Sequence, residues 1–333
     1  MTNSTHRGPG DPRSSSGTGR AIATLDPAQG PVVLEELAAA LARECCGGMD
    51  GYRWSARNVR AARRVLAGPG GAGLVHELAQ RLSGYGRLQA PGWVVVTLPP
   101  ALDDDGLVRA ASGVLAAVGA PFNSIDDGGR LWIGGESSIG RDEASFGGVG
   151  AQGLHIDAPN VEHVPRYTAL LVLRADPGGG GASLVGDLRA AAAALTDAER
   201  APLQRPIWFE GHAEGLSGVG RPRLPFPVLE VDDQGQPVWI RWAAKILHDP
   251  RNTGPTAALR RFADELARTV TSLPLTRGQL LILDQQRAAH GRTALGPQGD
   301  LPPGACRCLL QAKAGPDLTA PMWAAAGVRG GGD

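Results

Sequence analysis

Long apolar runs are missing from this 333-residue sequence. No stretch approaches the roughly 18 to 20 residues a membrane span needs, and residues 1–30 lack the apolar centre of a signal peptide, so a cytoplasmic protein with no membrane partner is expected. A surplus of one charge is missing too. The 33 Lys and Arg match 33 Asp and Glu, which removes the electrostatic reason to expect nucleic acid or an anionic surface as a partner. Aromatic residues make up only 5% of the chain. No basic stripe accompanies Trp132, Trp239 and Trp242, so these read as core or pocket wall and not as a base-stacking platform. The four cysteines are near neighbours in two pairs, Cys45-Cys46 and Cys306-Cys308. That spacing suits neither a disulfide framework nor a paired CxxC zinc site, and free thiols are expected. What remains is a small-molecule substrate.

The length suits one large domain with a helical appendage. Residues 1–30 hold Gly, Ser, Pro and Thr with too little apolar surface to offset the entropy of ordering, so a disordered tail is expected there and a flexible one over 321–333. Over 31–90 apolar residues recur at helical spacing, as in Val33, Leu34, Leu37 and Leu41, then Val59, Ala62 and Val65, then Leu74, Leu78 and Leu82, which predicts a helical extension packed on the core. Over 91–320 short strands dominate: Trp93 to Val96, Leu131 to Ile133, Tyr167 to Leu173, Val228 to Val231, Val238 to Trp242, Leu280 to Leu283 and Cys306 to Gln311. Asp103 to Val118, Leu188 to Leu195 and Ala257 to Val270 read as helices, the first with acidic residues at its positive end. Asp232-Asp233-Gln234-Gly235 reads as a hairpin turn. The pattern predicts an α+β, mainly β, jelly roll with flanking helices and not a parallel βαβ sheet.

Chemistry concentrates in Gly153-Leu154-His155-Ile156-Asp157. On extended backbone, residues two apart leave the same face, so His155 and Asp157 can reach one metal. A distant second histidine would complete the two-His-one-carboxylate arrangement that holds one face of iron(II) and leaves positions open for reactants. His290, soon after the apolar strand Leu280 to Leu283, is the candidate. A competing pair, His212-Ala213-Glu214, is set aside because Gly211 and Gly215 flank it and no apolar strand follows.

Two segments then resemble a known family. His155 to Asp187, with HIDAPN, PRYTALLVLRADP and GGGGASLVGD, is similar to the stretch that follows the metal motif in the taurine dioxygenase and clavaminate synthase-like family. LLILDQQRAAHGRTAL, Leu280 to Leu295, resembles that family's distal-histidine motif, with Gln285 where Asn is usual. The resemblance covers roughly residues 50–315. It implies a double-stranded β-helix (jelly-roll) core, iron(II) on His155, Asp157 and His290 as the catalytic centre, and 2-oxoglutarate as co-substrate with O2. It also implies that Arg307 meets the far carboxylate of 2-oxoglutarate, which suits a planar guanidinium fork, with Ser183 as a hydroxyl donor in place of the family's Thr. Arg292 is the second candidate for that carboxylate.

The reaction implied is hydroxylation, desaturation or ring formation on an amino-acid-derived or natural-product substrate. The carboxylate at Asp157 argues against halogenation, which in related enzymes needs that ligand replaced. Two other classes compete: a zinc hydrolase using the same three residues, and a non-enzymatic jelly-roll binding protein. The hydrolase has no need of Arg307, and the binding protein would be expected to lack a ligand. Finally, Gly134 to Gly153, with seven glycines and three serines, runs into His155 with little to bury, and it is expected to act as a lid that orders over substrate.

Overall fold

The computed structural model describes residues 30–44, 53–83, 90–123, 129–138, 145–211, 225–298, 301–302 and 304–327. Helices come first: α1 (Gly30–Glu44), α2 (Ala56–Leu66), α3 (Gly71–Leu78) running on through a π turn at Ala79–Ser83, and, after strand β1 (Trp93–Thr97), α4 (Asp104–Val118). Their starts are written locally. Ser55 caps α2 in a reciprocal box with Asn58, and Asp103 caps α4 by accepting from the Gly106 amide at 2.8 Å.

The strands that follow are β2 (Ala120–Phe122), β3 (Ile133–Glu136), β4 (Gln152–His155), β5 (Tyr167–Arg174), β6 (Ser183–Asp187), β7 (Leu229–Val231), β8 (Pro237–Ile240), β9 (Thr271–Leu273), β10 (Gln279–Asp284), β11 (Ala288–Arg292) and β12 (Cys308–Gly315). Helices α5 (Leu188–Ala193), α6 (Asp197–Leu203), α7 (Thr256–Arg268) and α8 (Pro321–Ala325) lie between or after them. All the pairings are antiparallel. One sheet runs β1-β10-β5-β12-β2 with β3 on the far end of β12, a second runs β4-β11-β6-β9, and β7-β8 is the hairpin expected at Asp232 to Gly235.

Alternation within the strands explains the layering. On β10, Leu280 and Ile282 join the core beneath α1, α2 and α4, whereas Leu281 and Leu283 join a second cluster with Val185 of β6 and Leu273 of β9. On β5, Ala169, Leu171 and Leu173 face the helices, and Leu170 and Val172 face the second sheet. Each strand residue is thus assigned to the helical or the inter-sheet side by parity. A third cluster, with Trp208, Trp242 and Phe262, packs α5 and α7 around the β7-β8 hairpin.

The structure differs from the sequence expectation in several places. The strand expected at Leu131 begins at Ile133, and the one expected at Cys306 begins at Cys308. Strands β2, β4, β6, β9 and β11 carry too few consecutive apolar residues to show as strands, and β11 is Ala-Ala-His-Gly-Arg, buried throughout. Residues 321–325, expected within a flexible tail, instead form α8, which buries Met322 and Trp323 in the core beside the first helices, and residues 328–333 lie outside the described residues. Cys306 and Cys308 are free thiols, as expected, while Cys45 and Cys46 lie outside the described residues. Among the described residues no helix is long and apolar enough to cross a membrane.

Candidate metal centre and adjoining anion pocket

His155 ends β4 and His290 sits mid-β11, and the two strands pair with these residues opposite each other. The imidazole centroids are 4.3 Å apart. Asp157 follows two residues later, with Ala158 at φ 52 turning the chain sharply before Pro159. A left-handed backbone at a residue with a Cβ is uncommon and marks a position held by its surroundings. One ligand atom from each of His155, Asp157 and His290 lies within 4.8 Å of the other two. These are the residues selected from sequence. The rejected His212-Glu214 pair lies outside the described residues.

The protonation states suit a cation. Burial pushes His290 down to about 3, helped by the neighbouring His155 and opposed by Asp157, so it is a neutral base near pH 7. Burial works to raise Asp157, but Lys313, then His290, His155 and the Thr168 hydroxyl outweigh it and hold the carboxyl well below the usual range. The 3.9 Å approach of His290 Nε2 to Asp157 Oδ1 is therefore not an ion pair. It brings together two lone-pair donors with no proton to share, which is what a metal requires. His155 Nδ1 lies 2.9 Å from the Gly153 carbonyl, which fixes the ring and leaves Nε2 for the metal.

Asp157 is oriented by residues that sequence reasoning did not assign. Gln285 accepts from the Asp157 amide at 2.5 Å and donates to the Pro165 carbonyl at 2.7 Å. Thr168 donates its hydroxyl to Oδ2, and the Gln311 amide lies 3.1 Å from both carboxylate oxygens. A signal was available for two of these. Thr168 and Gln311 are polar residues in largely apolar strands, at the parity that faces the second sheet.

Beside the triad a pocket is lined by Ser183, His290, Arg292 and Arg307, with Phe146, Leu170 and Leu309 as its apolar wall. Arg307 is 4% exposed, Nη1 is buried, and its guanidinium makes no hydrogen bond among the described residues. Burial, then the nearby Arg292, pushes it down to about 10. A buried guanidinium without a partner is costly unless an anion completes it. Gly181, at φ 67, lies where a Cβ would come within 3.2 Å of the Arg307 side chain, so the Gly-rich turn lets the chain pass close against it.

Arg292 has other work. It donates to the carbonyls of Phe146 at 3.0 Å, Gly150 at 2.6 Å and Ser145 at 3.5 Å, which ties the 145–150 segment over the pocket. It lines the pocket, but its fork is committed to backbone carbonyls, which leaves Arg307 as the open cation of this pocket among the described residues. The expected lid divides in the same way: Gly134 to Glu136 belongs to β3, residues 145–150 are held by Arg292, and residues 139–144 lie outside the described residues.

The triad and an open buried arginine one pocket away fit iron(II) with a chelating dicarboxylate. Comparison with known proteins agrees. L-asparagine oxygenase of Streptomyces coelicolor is 27% identical over 297 residues, 83% of this chain and 85% of that one. L-lysine 3-hydroxylase of Catenulispora acidiphila is 27% identical over 165 residues, 47% of this chain and 44% of that one. The crystal structure of an asparagine oxygenase with Fe(II), 3-hydroxyasparagine and succinate superposes with a TM-score of 0.68 at 25% identity, covering 89% of this chain and 93% of the other. Non-heme iron oxygenase OrfP with Fe and α-ketoglutaric acid shares the fold at a TM-score of 0.62 and 20% identity, covering 89% and 94%. The profile of the taurine catabolism dioxygenase TauD, TfdA family matches residues 72–311, well over half of the chain, and the protein therefore belongs to that family as an iron(II)- and 2-oxoglutarate-dependent dioxygenase.

Proposed function

We propose that the protein hydroxylates a free amino acid or a small amino-acid-derived compound, with iron(II) on His155, Asp157 and His290 and the far carboxylate of 2-oxoglutarate on Arg307 and Ser183. The observation that carries this is the unpartnered, buried Arg307 guanidinium in a pocket that also borders His290. A zinc hydrolase would need the triad and a water, but no buried cation beside it. The relatives with printed substrates act on asparagine and lysine, which supports an amino acid here. The two facing sheets with their shared inner cluster support a jelly-roll core over 91–320, with 31–90 as a helical extension packed against it.

Iron(II) with 2-oxoglutarate and O2 supplies the oxidation: 2-oxoglutarate becomes succinate and carbon dioxide, and one oxygen atom enters a substrate C–H bond. The chain's own residues do the rest. Gln285, Thr168 and Gln311 hold Asp157 in one orientation, neutral His290 offers its lone pair without first losing a proton, and Phe146, Leu170 and Leu309 keep water from the charged end of the pocket. The test is anaerobic addition of iron(II) and 2-oxoglutarate, which should give a weak visible charge-transfer band. It should be lost in His155→Ala and His290→Ala and kept in His212→Ala. Succinate release is then followed across free L-amino acids. Iron-loaded protein without the band would overturn the assignment.

A further inference from the structure

β12 carries a second buried cation. Arg307 stands just before the strand, and Leu309, Gln311 and Lys313 follow on the face toward the second sheet, as shown by Leu309 in the inter-sheet cluster and Gln311 on Asp157. Lys313 is 9% exposed. It stands opposite Thr168 of β5, whose hydroxyl bonds Asp157, and opposite Phe122 of β2. Among the described residues its ammonium makes no hydrogen bond and no ion pair.

Such a charge is costly to bury alone, and a metal makes it more so by adding two positive charges nearby. The anions already accounted for do not relieve it. Iron(II), Arg307 and Lys313 would bring four positive charges to the site against two on 2-oxoglutarate and one on Asp157, the carboxylate that Lys313 holds down in the ligand-free protein, so one positive charge is left without a counter-charge once iron engages Asp157. Nor can 2-oxoglutarate serve both ends. Six residues of extended chain separate Arg307 from Lys313 by about 20 Å, with Gln311 and Asp157 between them, so the two cations lie on opposite flanks of the metal site.

We propose that Lys313 is a specificity-determining residue that pairs with a carboxylate of the substrate, on the flank of the metal site away from Arg307. A single compact ammonium suits one monoanionic group better than a phosphate, which would draw on several donors. The amino-acid identity of the substrate rests on the function proposed above, whereas the anion site itself rests on Lys313 alone.

The test uses the iron(II)- and 2-oxoglutarate-loaded protein without O2, reading the charge-transfer band as free L-amino acids, their α-carboxamides and acetate are titrated. The wild-type protein should bind at least one free acid tenfold or more tighter than its carboxamide. Lys313→Met should remove that preference and weaken the acid by more than about tenfold. Its iron and 2-oxoglutarate affinities should stay within about twofold, and Lys313→Arg should restore part of the preference. Equal binding of acid and carboxamide by the wild type would overturn the proposal, as would an unchanged preference in Lys313→Met. So would a loss of iron binding in folded Lys313→Met as large as its loss of substrate, which would make Lys313 a support of Asp157. If no amino acid binds, the amino-acid reading fails and acetate decides the site. A band shift with acetate that Lys313→Met abolishes would uphold it; no shift in the wild type, or the same shift in the variant, would overturn it.

Discussion

Replacing Arg307 by Ala separates a residue that awaits a ligand from one that supports the fold, because the two roles predict opposite signs for the ligand-free protein. The guanidinium is 4% exposed and makes no hydrogen bond among the described residues, so its removal takes away an uncompensated buried charge and leaves no partner behind. The ligand-free protein should keep its melting temperature or gain in it, offset only by the lost packing of the side-chain stem. With 2-oxoglutarate the sign reverses. Losing one member of a desolvated charge pair costs about 2 to 5 kcal/mol, a loss of affinity from about thirtyfold to several thousandfold. Lys should recover only part of this because it cannot form the two-pronged contact. Ser183→Ala, which removes one neutral donor, should cost about 0.5 to 1.5 kcal/mol, or about two- to tenfold. Anaerobic titration of the charge-transfer band gives each affinity, and calorimetry with and without 2-oxoglutarate gives the melting temperatures. The reasoning is refuted if Arg307→Ala lowers the ligand-free melting temperature by as much as a core truncation while 2-oxoglutarate still binds with wild-type affinity.

Three further outcomes follow from the same geometry. Arg292→Ala should free the carbonyls of 145, 146 and 150, with faster hydrogen exchange across that segment and a smaller loss of 2-oxoglutarate affinity than Arg307→Ala; equal protection in the variant would remove Arg292 from that role. Gln285→Leu leaves the Asp157 amide and the Pro165 carbonyl without partners, and iron(II) affinity should fall about 10- to 100-fold, as read by competition with a chromophoric chelator. Asp176 accepts from the amides of Gly178, Gly180 and Gly296 and from Gln298. Burial works to raise its pKa, but those bonds lower it below 3.8. A depressed carboxylate contributes stability above its unfolded pKa that is lost as pH falls through the folded value, so the acid side of the stability profile below about pH 4 should flatten in Asp176→Asn, and an unchanged slope would show that those bonds do not set it.

Much of this protein could be read from local pattern. Helical spacing at Leu34, Leu37 and Leu41 announces α1, the apolar runs at Tyr167 to Leu173 and Leu280 to Leu283 announce β5 and β10, and a histidine two residues from an aspartate, with a second histidine beyond an apolar strand, announces the metal site. These signals are local because propensity, capping and strand parity are properties of neighbouring residues. What the chain alone could not decide depends on partners distant in sequence. β11 looks like no strand until β4 and β6 bury it from both sides, and Met322 looks like tail until α8 meets the first helical core. Arg292 and Arg307 are indistinguishable as arginines near a distal histidine. Only the fold places the carbonyls of 145–150 around one and leaves the other bare, and only the pairing of β12 with β5 sets Gln311 and Lys313 beside Asp157, because which buried charge finds a partner is settled by strand register and not by composition.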